Sequence, residues 1–310
     1  MLDRALSTFL KQAFAADLGA WNESSVRDLA EKNPPHGLGG SFQWLLTGDV
    51  NYLWARWFLE GLVDPSSFRE RGDHYVHLLN DIQEAIDPLM LRVPEDEKRE
   101  ITFVLADIWW EHVKLSEVVE RHQLDREMRL TLWDQNQRCW ICGAEFPDWA
   151  RQKFLEKGAS REVEKLPYVD AYKPRGLQKA DLQVEIEHVV AHSAGGADDE
   201  SNLRLACGWC NRAKAARTLL YDAEGSPRFI NHPDAGRASV PQPFWVVRLL
   251  AMRGRCEALS CDSSTLTHEL TAAPRNLRGS PNPANLMVVC QEHDPLADWR
   301  LVPSRCMDAS

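Results

Sequence analysis

Two cysteine pairs and one acid–histidine step hold most of the chemistry that this 310-residue sequence offers. Cys139-x2-Cys142 and Cys207-x2-Cys210 each set two thiols on a tight turn, the spacing of a zinc knuckle. Together they supply four sulfurs, a closed tetrahedral set with no position left for a substrate, so the ion they predict is structural Zn2+. The opening segment MLDRALSTFLKQAFAADLGAW lacks the apolar centre of a secretion signal, because Asp3, Arg4 and Lys11 interrupt it. A cytoplasmic protein is expected, and there thiols serve as ligands rather than disulfides. Nowhere does the chain run about 18 residues without a charge in apolar sequence, so no membrane partner is expected.

The segment between the pairs is what the zinc would hold in place. VEIEHVV (184–190) alternates as a strand does and places Glu187-His188 at its end. Gly195-Gly196 make a turn, Asn202-Leu203 enter a second short strand, and CNRAKAARTLL, from Cys210, reads as a helix. Strand, loop, strand and helix would gather Glu187, His188, Asn202 and Asn211. Oxygen ligands beside an imidazole suit a hard divalent cation such as Mg2+. His192 reads as a solvent-facing loop residue. Arg204, Arg212, Lys214 and Arg217 lie in a stretch (201–220) with no acid, a cationic patch suited to phosphate contacts.

In this order, C-x2-C, I-E-H-V-V, G-G, S-N-L and C-x2-C-N-R-A-K resemble the HNH nuclease family, with its ββα-metal fold, in the four-cysteine form. The resemblance covers roughly 136–221. It implies His188 as the general base that takes a proton from water, Glu187 as the acidic ligand of the catalytic cation (Mg2+ or Mn2+), and Asn211 as the last ligand position. Asn202 matches the residue that braces the loop carrying the base. The implied reaction is phosphodiester hydrolysis of DNA, leaving a 5′-phosphate and a 3′-hydroxyl. The alternative is a zinc-stabilised nucleic-acid-binding module of the same fold that does not cut; a toxin-like or RNA-directed nuclease is a third reading, disfavoured because the chain lacks a strongly basic surface.

A second copy follows. Residues 201–211, SNLRLACGWCN, align without a gap with 284–294, ANLMVVCQEHD, pairing Asn202 with Asn285, Cys207 with Cys290, Cys210 with His293 and Asn211 with Asp294. Cys256 and Cys261 would supply the other knuckle, giving a second Zn2+ set of Cys256, Cys261, Cys290 and His293. In this reading His268 falls where His188 does and Thr267 replaces the acid. The segment is expected to be a degenerate HNH-like unit.

These elements sit behind a helical region. LDRALSTFLKQAF, VNYLWARWFLEGLV, DHYVHLLNDIQEAI and EKREITFVLADIWWEHVKLSEVV repeat apolar residues at three- and four-residue steps, and Pro34-Pro35 with Gly37, Gly39 and Gly40 separate the first two. Trp54, Trp57, Trp109 and Trp110 read as helical core. The predicted class is α+β: an all-α domain (1–135), the HNH domain (136–221, with a charged insertion near 143–181 containing a helix), a turn-rich linker (222–243) and the C-terminal zinc-binding unit (244–310). Residues 1–125 hold 22 Asp/Glu against 12 Lys/Arg, so the full net charge of −10 lies there and the rest is neutral. Such a flank repels DNA, which predicts a protein partner or self-association through the helical domain. By analogy with stand-alone HNH proteins, a restriction or antiviral defence setting is expected.

Overall fold

The computed structural model describes residues 2–15, 27–28, 30–32, 40–65, 68, 74–112, 125–156, 165–191, 196–223 and 225–307. The chain divides into two compact units, 1–48 and 49–310. Among the described residues are eight α-helices and four two-stranded antiparallel sheets, so the fold mixes helix and sheet. No described helix is long and apolar enough to cross a membrane.

Helix α1 spans Leu2–Ala15, and α2 spans Gly40–Leu62, following the expected periodicity. The remaining prolines and glycines of the break between them lie outside the described residues. Helices α3 (Tyr75–Ile86) and α4 (Glu95–His112) pack on each other. Leu78, Ile82 and Ile86, one helical turn apart, are buried with Leu59, Val63, Phe68, Ala106 and Trp109 in one apolar cluster. Trp109 sits edge-on to Phe68 at 4.9 Å, and its Nε1 donates to the Val63 carbonyl at 3.1 Å. Trp110 packs against the same cluster. Trp54 and Trp57, by contrast, are not core: they are 69% and 64% exposed. Leu59 on α2 and Val63 just past its end take the buried side, and the indoles fall away from it. Periodicity alone could not choose between these two apolar stripes.

Helix α5 (Arg126–Gln135) starts at Asp125, whose side chain accepts from the Met128 amide. Helix α6 (Asp148–Leu155) is the helix expected in the insertion; the rest of the stretch expected to be helical, 157–164, lies outside the described residues. Strands β1 (Tyr168–Asp170), β2 (Val184–His188) and β3 (Leu203–Cys207) follow, then α7 (Gly208–Lys214). The stretch read as a linker forms a hairpin, β4 (Arg228–His232) with β5 (Gly236–Val240). Its Pro233, Asp234 and Gly236 mark the turn of that hairpin rather than a flexible tether. Helix α8 (Pro243–Arg253) opens with proline at its first position and closes on Gly254 in the left-handed conformation. Strands β6 (Leu270–Pro274), β7 (Leu286–Cys290) and β8 (Leu301–Pro303) complete the chain, with β8 paired to β1.

Candidate active site and metal centres

Strands β2 and β3 pair with Val184 opposite Cys207 and His188 opposite Leu203, so the chain enters α7 directly from Cys207. Cys139, Cys142, Cys207 and Cys210 are fully buried, unbonded to one another, and all four sulfurs lie within 4.8 Å of one another. Burial pushes the Cys139 and Cys210 thiols well up, while hydrogen bonds from the other thiols hold Cys142 well down. Two cations stand beside them. Burial works against the charge on Lys173 and Arg175, yet the cysteines and Glu269 raise both above their ordinary values. Four thiolates around Zn2+ carry a net charge of about −2, so the buried Lys173 and half-buried Arg175 are the complement such a centre needs. The donor set fits zinc.

The knuckle also reaches the acid–histidine step. The Trp140 amide donates to the Leu205 carbonyl, and its indole Nε1 donates to Glu187 Oε2 at 3.1 Å. Glu187 is buried, and its other oxygen accepts from Lys214 Nζ at 2.5 Å. Burial pushes its carboxyl up; Lys214 and Trp140 pull it part of the way back. The same ammonium donates to the His188 carbonyl.

The structure does not bring Asn211 to Glu187. Its Nδ2 instead donates to Glu185 Oε2 at 2.6 Å. Glu185 and Glu187 share one face of β2, two residues apart, and both are met by side chains of α7. Glu185 was missed by sequence reasoning, although that period-2 spacing was the signal that could have found it. Asp198 was missed too: its Oδ1 lies 2.6 Å from His188 Nε2. A carboxylate only accepts, so an ionised Asp198 assigns the Nε2 proton and leaves the imidazole lone pair on Nδ1.

Asn202 clamps the loop after β2. Its Oδ1 accepts from the Val190 amide, and its Nδ2 donates to the carbonyls of Val190 and Ala197. Gly196 must be glycine here, since a Cβ would strike the Val190 carbonyl and Asn202 Nδ2. His192 and Gly195 lie outside the described residues. The four expected phosphate contacts have protein partners: Lys214 as above, Arg212 with Asp181, Arg204 with the Glu200 and Leu203 carbonyls, and Arg217 with the Ala213 carbonyl. Helix α7 is shorter than expected, ending at Ala215, where φ is +48°.

The second cysteine group also closes. Cys261 and Cys290 sulfurs are 3.9 Å apart, and His293 Nδ1 lies 3.2 Å from Cys290 and 4.0 Å from Cys256. Zn–S bonds of about 2.3 Å give a tetrahedral edge of about 3.8 Å, so these separations fit a zinc set. Asn285 repeats the clamp: its Oδ1 accepts from the Asn276 amide, and its Nδ2 donates to the carbonyls of Asn276 and Ser280. Gly279 stands beside it as Gly196 stands beside Asn202.

The register corrects one expectation. Leu270 lies opposite Cys290 as Val184 lies opposite Cys207, so the counterparts of Glu187 and His188 are Ala273 and Pro274. His268 and Thr267 precede the strand. The counterparts of Glu185 and Asn211 are Thr271 and Asp294, and the Arg300 guanidinium bridges them, at 2.9 Å to Thr271 Oγ1 and 2.6 Å to Asp294 Oδ2. Where the first unit has facing oxygen donors, the second has a cation of its own.

Compared with known proteins, residues 176–217 match the family model described as HNH endonuclease. The chain therefore carries an HNH endonuclease domain, which points to nuclease or nucleic-acid-binding activity, and its buried four-cysteine group is consistent with the zinc type. No curated protein and no solved structure gave a significant match.

Proposed function

We propose that this domain is a metal-dependent DNA endonuclease in which His188 is the general base. The observation that carries the reading is the oxygen-bearing face between β2 and α7: Glu185 and Glu187 both stand on it, Asn211 of α7 meets Glu185 and Lys214 of α7 meets Glu187. Those donors suit Mg2+ or Mn2+, with Glu187 and Asn211 as ligands and Glu185 as a third oxygen. A bound divalent cation supplies charge neutralisation of the scissile phosphate and of the leaving oxygen. His188, oriented by Asp198, takes the proton of the attacking water on Nδ1. The water oxygen bonds to phosphorus, and the bond to the 3′ oxygen breaks. Asn202 holds the loop on which Asp198 stands, and Trp140 holds Glu187 to the zinc knuckle. A protein partner engages the helical region, where Trp54, Trp57 and Tyr52 are exposed on an acidic flank; a restriction or defence setting would suit a nuclease governed in this way.

The test is nicking of supercoiled plasmid with Mg2+ or Mn2+. His188→Ala should slow cutting by at least roughly a hundredfold, the scale of general-base loss, with zinc content unchanged. Parent-like cutting by that variant would overturn the mechanism. The Lys214–Glu187 ion pair favours a second reading, a binding module whose acid is permanently neutralised. That reading stands if the parent binds DNA and never cuts it with either ion.

A further inference from the structure

The second zinc unit carries Pro274 where the first carries His188, and the space beside that position is not filled. A cavity of about 650 Å³ opens over it, lined by Pro274, Gly279 and Asp294, the counterparts of His188, Gly196 and Asn211. That volume accommodates a nucleotide-sized ligand. Its walls combine an aromatic plane with cations: Trp299, 44% exposed, together with Arg237 and Arg278.

Trp299 is held as a platform. His232 is buried and stacks on the indole, with ring centroids 4.2 Å apart and planes 21° apart. The His232 ring is itself fixed at both nitrogens. Nδ1 accepts from the amides of Asp234 and Ala235, so Nε2 carries the proton and donates to the Trp299 carbonyl at 3.1 Å. An indole clamped in this way loses little freedom when a second ring stacks on it. Arg237 lies across Phe229 at 4.2 Å, a basic–aromatic pairing on the hairpin that borders the cavity. The acid in the wall, Asp294, is neutralised by Arg300. Asp298, exposed on the lining, offers an acceptor to an exocyclic amino group.

We infer that this cavity binds one unpaired nucleotide of the nucleic acid on which the HNH domain acts, with the base stacked on Trp299 and its phosphates near Arg237 and Arg278. The inference rests on the nucleic-acid reading of the domain but needs no cutting. Aromatic stacking and a basic rim recognise an unstacked base of any sequence, so the duplicated unit serves as a second grip on a single-stranded, frayed or flipped-out position.

The test uses the full-length His188→Ala protein and a fluorescein-labelled single-stranded DNA oligonucleotide, followed by anisotropy. Trp299→Ala should weaken binding roughly tenfold, and Trp299→Phe should restore most of it. Arg237→Ala with Arg278→Ala should lower the slope of log affinity against log salt by about 1.4, two contacts on a single strand. Ala297 is exposed on the lining, so Ala297→Glu puts a negative charge in the cavity without disturbing the core and should also weaken binding severalfold. Parent-like affinity in Ala297→Glu, or in a zinc-replete Trp299→Ala, overturns the inference, as does a parent that does not bind the oligonucleotide. Trp299-dependent binding together with no nicking of plasmid by the protein with His188 intact would instead remove the nuclease reading alone; nicking by that protein with binding indifferent to Trp299 and Ala297 would remove the cavity alone.

Discussion

Asp198 does for His188 what neither residue can do alone: it fixes which nitrogen holds the proton and which way the ring points. Asp198→Asn keeps the size and removes the charge, so under the proposed mechanism the imidazolium formed on proton transfer would lose its partner. We expect kcat to fall by roughly ten- to a hundredfold with KM little changed, read from plasmid nicking at saturating DNA. At this scale the sequence was legible in part. Glu187 and His188 stood out because they end an alternating strand between two knuckles. Asp198 did not, because its approach depends on a loop whose path is set by the Asn202 clamp. Lys214 looked like a phosphate contact because its burial against Glu187 comes from the packing of α7 on β2, which no local pattern reports.

The zinc knuckle, the hairpin and α7 form one mechanical element. Cys207 ends β3 opposite Val184, and Cys210 lies in the first turn of α7. Cys207→Ser, or a strong chelator, should therefore release zinc and loosen hairpin and helix together. Expected are a loss of one bound zinc by metal analysis, a lower Tm and lost nicking, whereas His188→Ala loses the nicking alone. The duplicate of this element was readable downstream, where strand, cysteine and turn are contiguous and 201–211 aligns with 284–294. It was misread upstream. The clamp spans 12 residues from Val190 to Asn202 but 9 from Asn276 to Asn285, so the strand of the second unit ends nearer its asparagine and Pro274, not His268, stands opposite Leu286 as His188 stands opposite Leu203.

Across the molecule, Asp49 links α2 to the far end of the chain. One carboxylate oxygen accepts from the Leu220 amide at 2.7 Å and the other from Arg248 of α8 at 2.6 Å. Asp49 is buried, so Asp49→Ala strands both a buried donor and a mostly buried guanidinium. We expect a loss of about 3–5 kcal/mol, measured by urea unfolding at neutral pH. An aspartate within a helical repeat carries no mark of a partner 171 residues away, which is why the helical region read as separable from the rest. The helices, by contrast, were legible from their spacing, and the β4–β5 hairpin was hidden by turn residues that resemble a tether.

Strand β1 pairs with β8, bringing together residues about 130 positions apart: Tyr168 with Pro303, Val169 with Val302, Asp170 with Leu301. On a ribosome adding roughly 5–20 residues per second, β1 emerges on the order of ten seconds before its partner has been made. The β2–β3 hairpin and Cys207 and Cys210, which complete the four-cysteine set begun by Cys139 and Cys142, are synthesised within that interval, while the seam that joins them to the duplicate unit is still open. Assembly of this chain is thus timed by its last strand, and zinc capture at the first knuckle can precede it.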